Sequence, residues 1–182
     1  VPFVNVSTLP SNLHIDLTAA TLCNINNKGV AISTPLSISD DIDGDSRNAT
    51  TPDVGADEWT MPTPTPGTAA ASNNSICSYF GAITIGLTGQ STGSEFTFQW
   101  QLSTDGGTTY NPLSNAGIYS GVTTSTLGIS SVAGLNGYKY KCIVARCTPS
   151  VTSALSNVVT LTVYDPATAS PNFAANPICS GS

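Results

Sequence analysis

Asp41, Asp43 and Asp45 alternate around Gly44, and seven of the chain's eleven acidic side chains (Asp40, Asp41, Asp43, Asp45, Asp53, Asp57, Glu58) fall between positions 40 and 58. Carboxylates two residues apart around a tight turn can gather oxygen ligands about a hard cation such as Ca²⁺. The arrangement is not an EF-hand, because no Glu stands at the twelfth position of a loop begun at Asp41. A structural role is the plainer expectation. Arg47 would pair with Asp53, Asp57 or Glu58, and with Trp59 these residues would finish the end of a β-domain, satisfying backbone that would otherwise be bare. The cap is the reading carried forward, with calcium at Asp41, Asp43 and Asp45 as the alternative.

Other chemistry is scarce. The single histidine, His14, lies in Leu13-His14-Ile15 with no nucleophile nearby, and neither CxxC nor HxxxH occurs. Structural zinc is therefore not expected. Five cysteines are an odd number, so in an oxidising compartment at least one must be free or paired outside this stretch. Asn5, Asn48 and Asn73 each open an Asn-x-Ser/Thr triplet, which matters only in a host that glycosylates it. Five basic residues and a formal charge of -6 argue against nucleic acid and against a polybasic membrane patch. No run of 18 apolar residues suggests a transmembrane helix, and the start Val1-Pro2-Phe3 lacks the pattern of a secretory leader.

The elements that must position these residues are short and β-like. Only 9% of residues are charged, against about 25% in ordinary soluble domains. Apolar pieces within residues 1–39 (Val4 and Val6; Leu13, Ile15 and Leu17; Leu22 and Ile25; Val30 and Ile32) are too short for helices and are broken by Ser, Asn, Pro and Gly. Thr60 to Asn74 carries Pro62, Pro64 and Pro66, whose fixed φ favours extended polyproline geometry, and reads as a linker. Beyond it a period of two takes over. Ile83, Ile85 and Leu87; Phe96, Phe98, Trp100 and Leu102; Leu127 and Ile129; Tyr138, Tyr140, Cys142 and Val144; and Val159, Leu161 and Val163 each mark one face of a strand. Asp105-Gly106-Gly107 supplies a tight hairpin, with Tyr110 beginning the return strand.

Two resemblances follow. Ser75-Ile76-Cys77-Ser78, Phe98-Gln99-Trp100-Gln101, Ser103-Thr104-Asp105-Gly106-Gly107 and Tyr138-Lys139-Tyr140-Lys141-Cys142 make residues 75–164 similar to the immunoglobulin-like repeats of very large surface proteins of Bacteroidota. That resemblance implies a core around Trp100, Tyr140 and Cys142. The second cysteine of an antibody-type domain is missing from the strand of Ile83, Ile85 and Leu87, so among Cys77, Cys142 and Cys147 the favoured pair is Cys77 with Cys147 and the least expected is Cys142 with Cys147. Residues 1–59 resemble the closing coils of a right-handed parallel β-helix, through Leu13-His14-Ile15, Cys23-Asn24-Ile25-Asn26-Asn27-Lys28-Gly29, Asp41-Ile42-Asp43-Gly44-Asp45-Ser46-Arg47 and Asp53-Val54-Gly55-Ala56-Asp57-Glu58-Trp59. Most of that β-helix would lie upstream of Val1. Asn74-Ser75-Ile76-Cys77-Ser78 recurs as Asn176-Pro177-Ile178-Cys179-Ser180, so residues 165–182 read as a second linker and the start of a next repeat, with Cys179 reactive in this stretch.

The expected fold is thus all-β: terminal coils of a parallel β-helix (1–59), a linker (60–74) and an immunoglobulin-like β-sandwich (75–164). The resemblance implies a non-catalytic structural or adhesive segment of a large secreted or cell-surface bacterial protein, exported by the type IX route. It would contact neighbouring domains of its own chain and a surface protein or glycan, without a cofactor and without membrane insertion. The alternative is an accessory carbohydrate-binding region of a secreted β-helix enzyme that degrades polysaccharide. Glycoside hydrolysis needs two carboxylates across a sugar, and a β-helix enzyme would place them in a groove spanning more coils than residues 1–59 can form. Trp59 as a sugar-stacking platform belongs to that second reading.

Overall fold

The computed structural model describes residues 3–5, 12–15, 20–34, 36–79, 81–147 and 152–165. The fold is all-β, and among the described residues the only helical element is the 3₁₀ turn Ala20–Asn24. The chain divides into two units. The first comprises Val1–Thr63 with Thr92–Glu95 and Arg146–Thr152, and the second Pro64–Ser91, Phe96–Ala145 and Ser153–Ser182.

In the first unit, β1 (Phe3–Asn5) and β2 (Asn12–Ile15) pair antiparallel with Phe3 opposite Ile15. The described residues of this unit therefore show a local hairpin-like ladder and no parallel stacking of coil on coil. The rest is held by turns. Its small core is Leu22, Met61 and Cys147, with Cys23, Ile25 and Trp59 packed partly buried against it. Val30, Ile32, Leu36, Ile38, Ile42 and Val54 remain exposed.

The second unit is a two-sheet sandwich. One sheet runs β3 (Thr68–Ala71), β5 (Ile83–Thr88), β9 (Thr126–Ile129), β8 (Tyr119–Ser120) in that order. The other runs β11 (Thr152–Leu155), β10 (Lys139–Arg146), β6 (Phe96–Ser103), β7 (Asn111–Pro112), with β12 (Val159–Thr160) also on β10. A parallel pair, β4 (Ser75–Cys77) with β13 (Thr162–Tyr164), completes the set. The alternation of β5 places Ile83, Ile85 and Leu87 inward and leaves Thr84 and Thr88 exposed, and β10 buries Tyr140, Cys142 and Val144 in the same way. They join Trp100, Leu127, Ile129, Val132, Leu161 and Val163 in one buried cluster.

Three details differ from the sequence reading. Thr68–Ala71 lies within the expected linker yet is a strand, with Ala69 opposite Leu87. The linker ends sooner still, because Thr65 and Ser91 exchange hydrogen bonds of 2.9 and 2.8 Å. In β6 the period of two slips at its end, where Ser103 is buried and Leu102 half-buried. The cause is the following turn: Ser103 Oγ donates to Asp105 Oδ1 at 2.7 Å and accepts from the Gly107 amide at 2.8 Å, so the hydroxyl must point inward. The return strand accordingly begins at Asn111 rather than Tyr110, with Leu102 opposite Asn111.

Candidate functional site

The acidic loop folds as a short turn bound to its own backbone. Asp40 bridges Ser46 antiparallel, the Arg47 amide donates to Ser39 O at 2.7 Å, and the Asp41 amide donates to Asp45 O at 2.8 Å. Gly44 takes the positive φ of 87° that such a turn requires. The Asp41 carboxylate sits at the centre. Its Oδ1 accepts the amides of Asp43 and Asp45, both at 2.9 Å, and its Oδ2 accepts the Glu58 amide at 3.0 Å. These N–H groups, that of Glu58 foremost, hold its pKa below the ordinary carboxylate value against a smaller opposing effect of burial.

A second carboxylate does similar work from inside. Asp53 is buried; its Oδ1 accepts the amide of Asn27 and its Oδ2 that of Trp59 at 3.0 Å. Burial nonetheless outweighs those bonds and the Arg47 charge, and raises its pKa. Asn27 takes a left-handed φ of 54°, which asparagine tolerates. Glu58 adds two more backbone partners, the amides of Asn48 at 3.1 Å and Asp53 at 3.0 Å.

Arg47 makes one of its expected pairings and adds two carbonyl partners. Its guanidinium donates to two carbonyls, Gly55 O at 2.8 Å and Asp53 O at 2.6 Å, and its Nε lies 3.6 Å from Glu58 Oε2. Of the acids expected as partners, Glu58 is joined to it in an ion pair, while the Asp53 carboxylate accepts the amides of Asn27 and Trp59. A fork of N–H donors suits carbonyls closing a turn, but carbonyls leave no mark in a sequence.

The arrangement could hold one hard cation. Carboxylate oxygens of Asp41, Asp43 and Asp57 lie within 4.8 Å of one another. Asp45, expected in that set, is not part of it. The fit is partial, since Asp41 already accepts three backbone amides and Ca²⁺ takes six to eight oxygens.

Trp59 packs against the Leu22, Met61 and Cys147 cluster. Together with Asn26, Asn27, Arg47, Asn48 and Glu58 it also lines a polar cleft of about 680 Å³. Asn26 Nδ2 and Trp59 Nε1 are closed off from solvent without a hydrogen-bond acceptor.

The cysteines are arranged otherwise than expected. Cys147 is bonded to Cys23, with Cα atoms 5.3 Å apart, so the pairing of Cys77 with Cys147 is corrected. Cys77 is itself disulfide-bonded, its partner outside the described residues, as is Cys179. Cys147 ends β10 with a left-handed φ of 67° and donates its amide to Glu95 O at 2.8 Å. A strand continued regularly would have aimed its side chain elsewhere. Cys142 is a free, fully buried thiol, pushed up to about 11 by burial.

In the sandwich Trp100 and Tyr140 are fully buried. Trp100 Nε1 donates to Thr124 O at 2.9 Å, and the Tyr140 hydroxyl lies 3.2 Å from that of Tyr119. Burial raises the pKa of both phenols. These are packing residues with satisfied polar tips.

No protein-family model and no curated protein matches the chain. Among the described residues no helix is long and apolar enough to cross a membrane.

Proposed function

We propose that the chain is a non-catalytic structural and adhesive segment of a large secreted or cell-surface bacterial protein, exported by the type IX route. The observation that carries this is the fate of the charged groups in the acidic loop. Asp41, Asp53, Glu58 and Arg47 are committed to amides and carbonyls of their own unit, as a cap would be and a substrate-facing pair would not. The disulfide supports an oxidising compartment.

An immunoglobulin-like identity for the sandwich is supported by strand order. The order β3-β5-β9-β8 opposite β12-β10-β6, with β7 beyond β6 and the first strand divided between β3 and β4, corresponds to the ABED and GFC sheets of that fold. Trp100 on the third strand and Tyr140-x-Cys142 on the sixth agree with it. For the first unit, the uncovered Val30, Ile32, Leu36 and Ile38 support a reading as the end of a larger β-helix, whose preceding coil would cover them. In the full-length protein the amides of residues 30–38 should then be protected from hydrogen exchange.

The polar cleft beside Trp59 favours a second reading, an accessory carbohydrate-binding region. Incubating the chain with plant and bacterial polysaccharides and probing a glycan array separates the two. Spacing alone expects no reducing ends released and no array signal. Binding abolished by Trp59→Ala but not by Trp100→Phe would favour the carbohydrate reading, and turnover of any polysaccharide would overturn the non-catalytic one.

A further inference from the structure

Asn136-Gly137 is the one place in the 182-residue chain where asparagine precedes glycine. Asparagine is thermolabile, because the next backbone nitrogen can attack its side-chain amide carbon, and a following glycine offers no side chain to hinder that attack. Both residues are exposed, Gly137 takes a positive φ of 78°, and nothing lies within 4 Å of where a Cβ would stand on it. Yet the folded chain ties down each reacting group. The Gly137 amide donates to Leu161 O at 2.9 Å, and Asn136 Oδ1 accepts the Val163 amide at 3.0 Å. We propose that Asn136 is a site of self-modification gated by the last strand of the sandwich: it is kept intact while residues 161–163 are seated, and is converted to aspartate and isoaspartate when they lift.

The attacking species is the deprotonated Gly137 nitrogen. Its hydrogen bond to Leu161 O favours the protonated form and so withholds the nucleophile. The Val163 bond restrains the electrophile. Water would donate equally well to a free side-chain amide, so that bond adds restraint without activation. It is also spare to the sheet. In the parallel pair with β4 the Thr162 amide donates to Asn74 O and Tyr164 O accepts the Ser78 amide, which leaves the Val163 amide to face Asn136. Once the stretch lifts, the Gly137 nitrogen gives its proton to hydroxide and bonds to Asn136 Cγ; the Cγ–Nδ2 bond breaks, and Nδ2 leaves as ammonia with a proton from water. Water then opens the succinimide. Attack at Cγ gives aspartate, and attack at the main-chain carbonyl gives isoaspartate, whose backbone runs through Cγ and is one methylene longer. That methylene moves the Gly137 amide out of register with Leu161 O, while the Leu161 amide needs Tyr138 O at 3.0 Å, so the strand cannot reseat as before.

Incubating the full chain at mildly alkaline pH in water enriched in heavy oxygen, with and without urea, and mapping peptic fragments by mass spectrometry tests this. In urea Asn136 should be the first asparagine to take up heavy oxygen, in both products. In native buffer it should react at least about tenfold more slowly, as the need to break two ordinary hydrogen bonds implies. Val163→Pro, which removes one of the two, should narrow that gap; if it does not fold, the wild-type ratio decides alone. Equal rates in native buffer and urea overturn the gate, as does a folded Val163→Pro chain that reacts no faster than the wild type. Another asparagine reacting ahead of Asn136 in urea overturns the site.

Discussion

Trp100 is the residue on which the sandwich core turns, being fully buried and hydrogen-bonded at its indole to Thr124. Trp100→Ala should cost about 3–5 kcal/mol, measured by urea unfolding, and should also orphan the Thr124 carbonyl. Trp100→Phe should cost less, since most of the packing survives. Asp105 sets a different dependence. Its carboxylate accepts from Thr109 through hydroxyl and amide, from Ser103 and from the Thr108 amide, and these bonds lower its pKa. A carboxylate with a depressed folded pKa contributes stability above its unfolded value, about 3.9, and that contribution is lost as pH falls through the folded value. The melting temperature of the wild type should therefore fall as pH is lowered from 5 to 2. Asp105→Asn should start lower at neutral pH and show a flatter acid limb. Asp53 acts in the opposite sense, because its raised pKa makes ionisation of the native state costly at neutral pH.

At the scale of elements, legibility in the sequence followed from how each contact is encoded. Period-two alternation is written into β5, β6 and β10, because successive side chains in a strand face opposite sides. The strand Thr68–Ala71 has no such mark. It pairs because Gly67, at φ 72°, passes so close to the Thr88 carbonyl that a Cβ would lie 2.7 Å from it, and because the Asn157 amide binds both Ala69 N and Ala69 O, at 2.7 and 3.0 Å. Gly67→Ala should accordingly destabilise the sandwich by more than about 1 kcal/mol, read as a lower urea midpoint. The acidic residues of the loop were legible as a cluster, and so was a pairing of Arg47 with Glu58, but not the backbone amides that the carboxylates accept or the carbonyls that Arg47 reaches. That division also predicts the loop's response to metal. Asp41→Asn should lower the melting temperature of the first unit in EDTA and in Ca²⁺ alike. Stabilisation of the wild type by Ca²⁺, absent in the variant, would instead make Asp41, Asp43 and Asp57 a cation site.

For the whole molecule, the Cys23–Cys147 bond could not be read from spacing, since a contact 124 residues apart has no local signature. The odd cysteine count said only that at least one cysteine is free or paired outside this stretch. Loop-closure entropy for a span of that length suggests a contribution of about 5 kcal/mol in the chain-entropy model. The Cys23→Ser, Cys147→Ser double variant should lose stability to urea by a matching amount, and Cys142 should become reactive to a thiol probe only as the sandwich opens.

The first strand of the sandwich is shared out, β3 to the sheet of β5, β9 and β8 and β4 to a parallel pair with β13. A recombinant fragment begun at Ser75, where the recognisable repeat starts, would keep β4 and discard β3. Thr84, Gly86 and Thr88 would then present an unpaired rim of amides and carbonyls along β5, an open template for a strand from another molecule. Such a fragment should self-associate where one begun at Pro64 stays monomeric, so the natural seam between modules lies about eleven residues before the motif that advertises it.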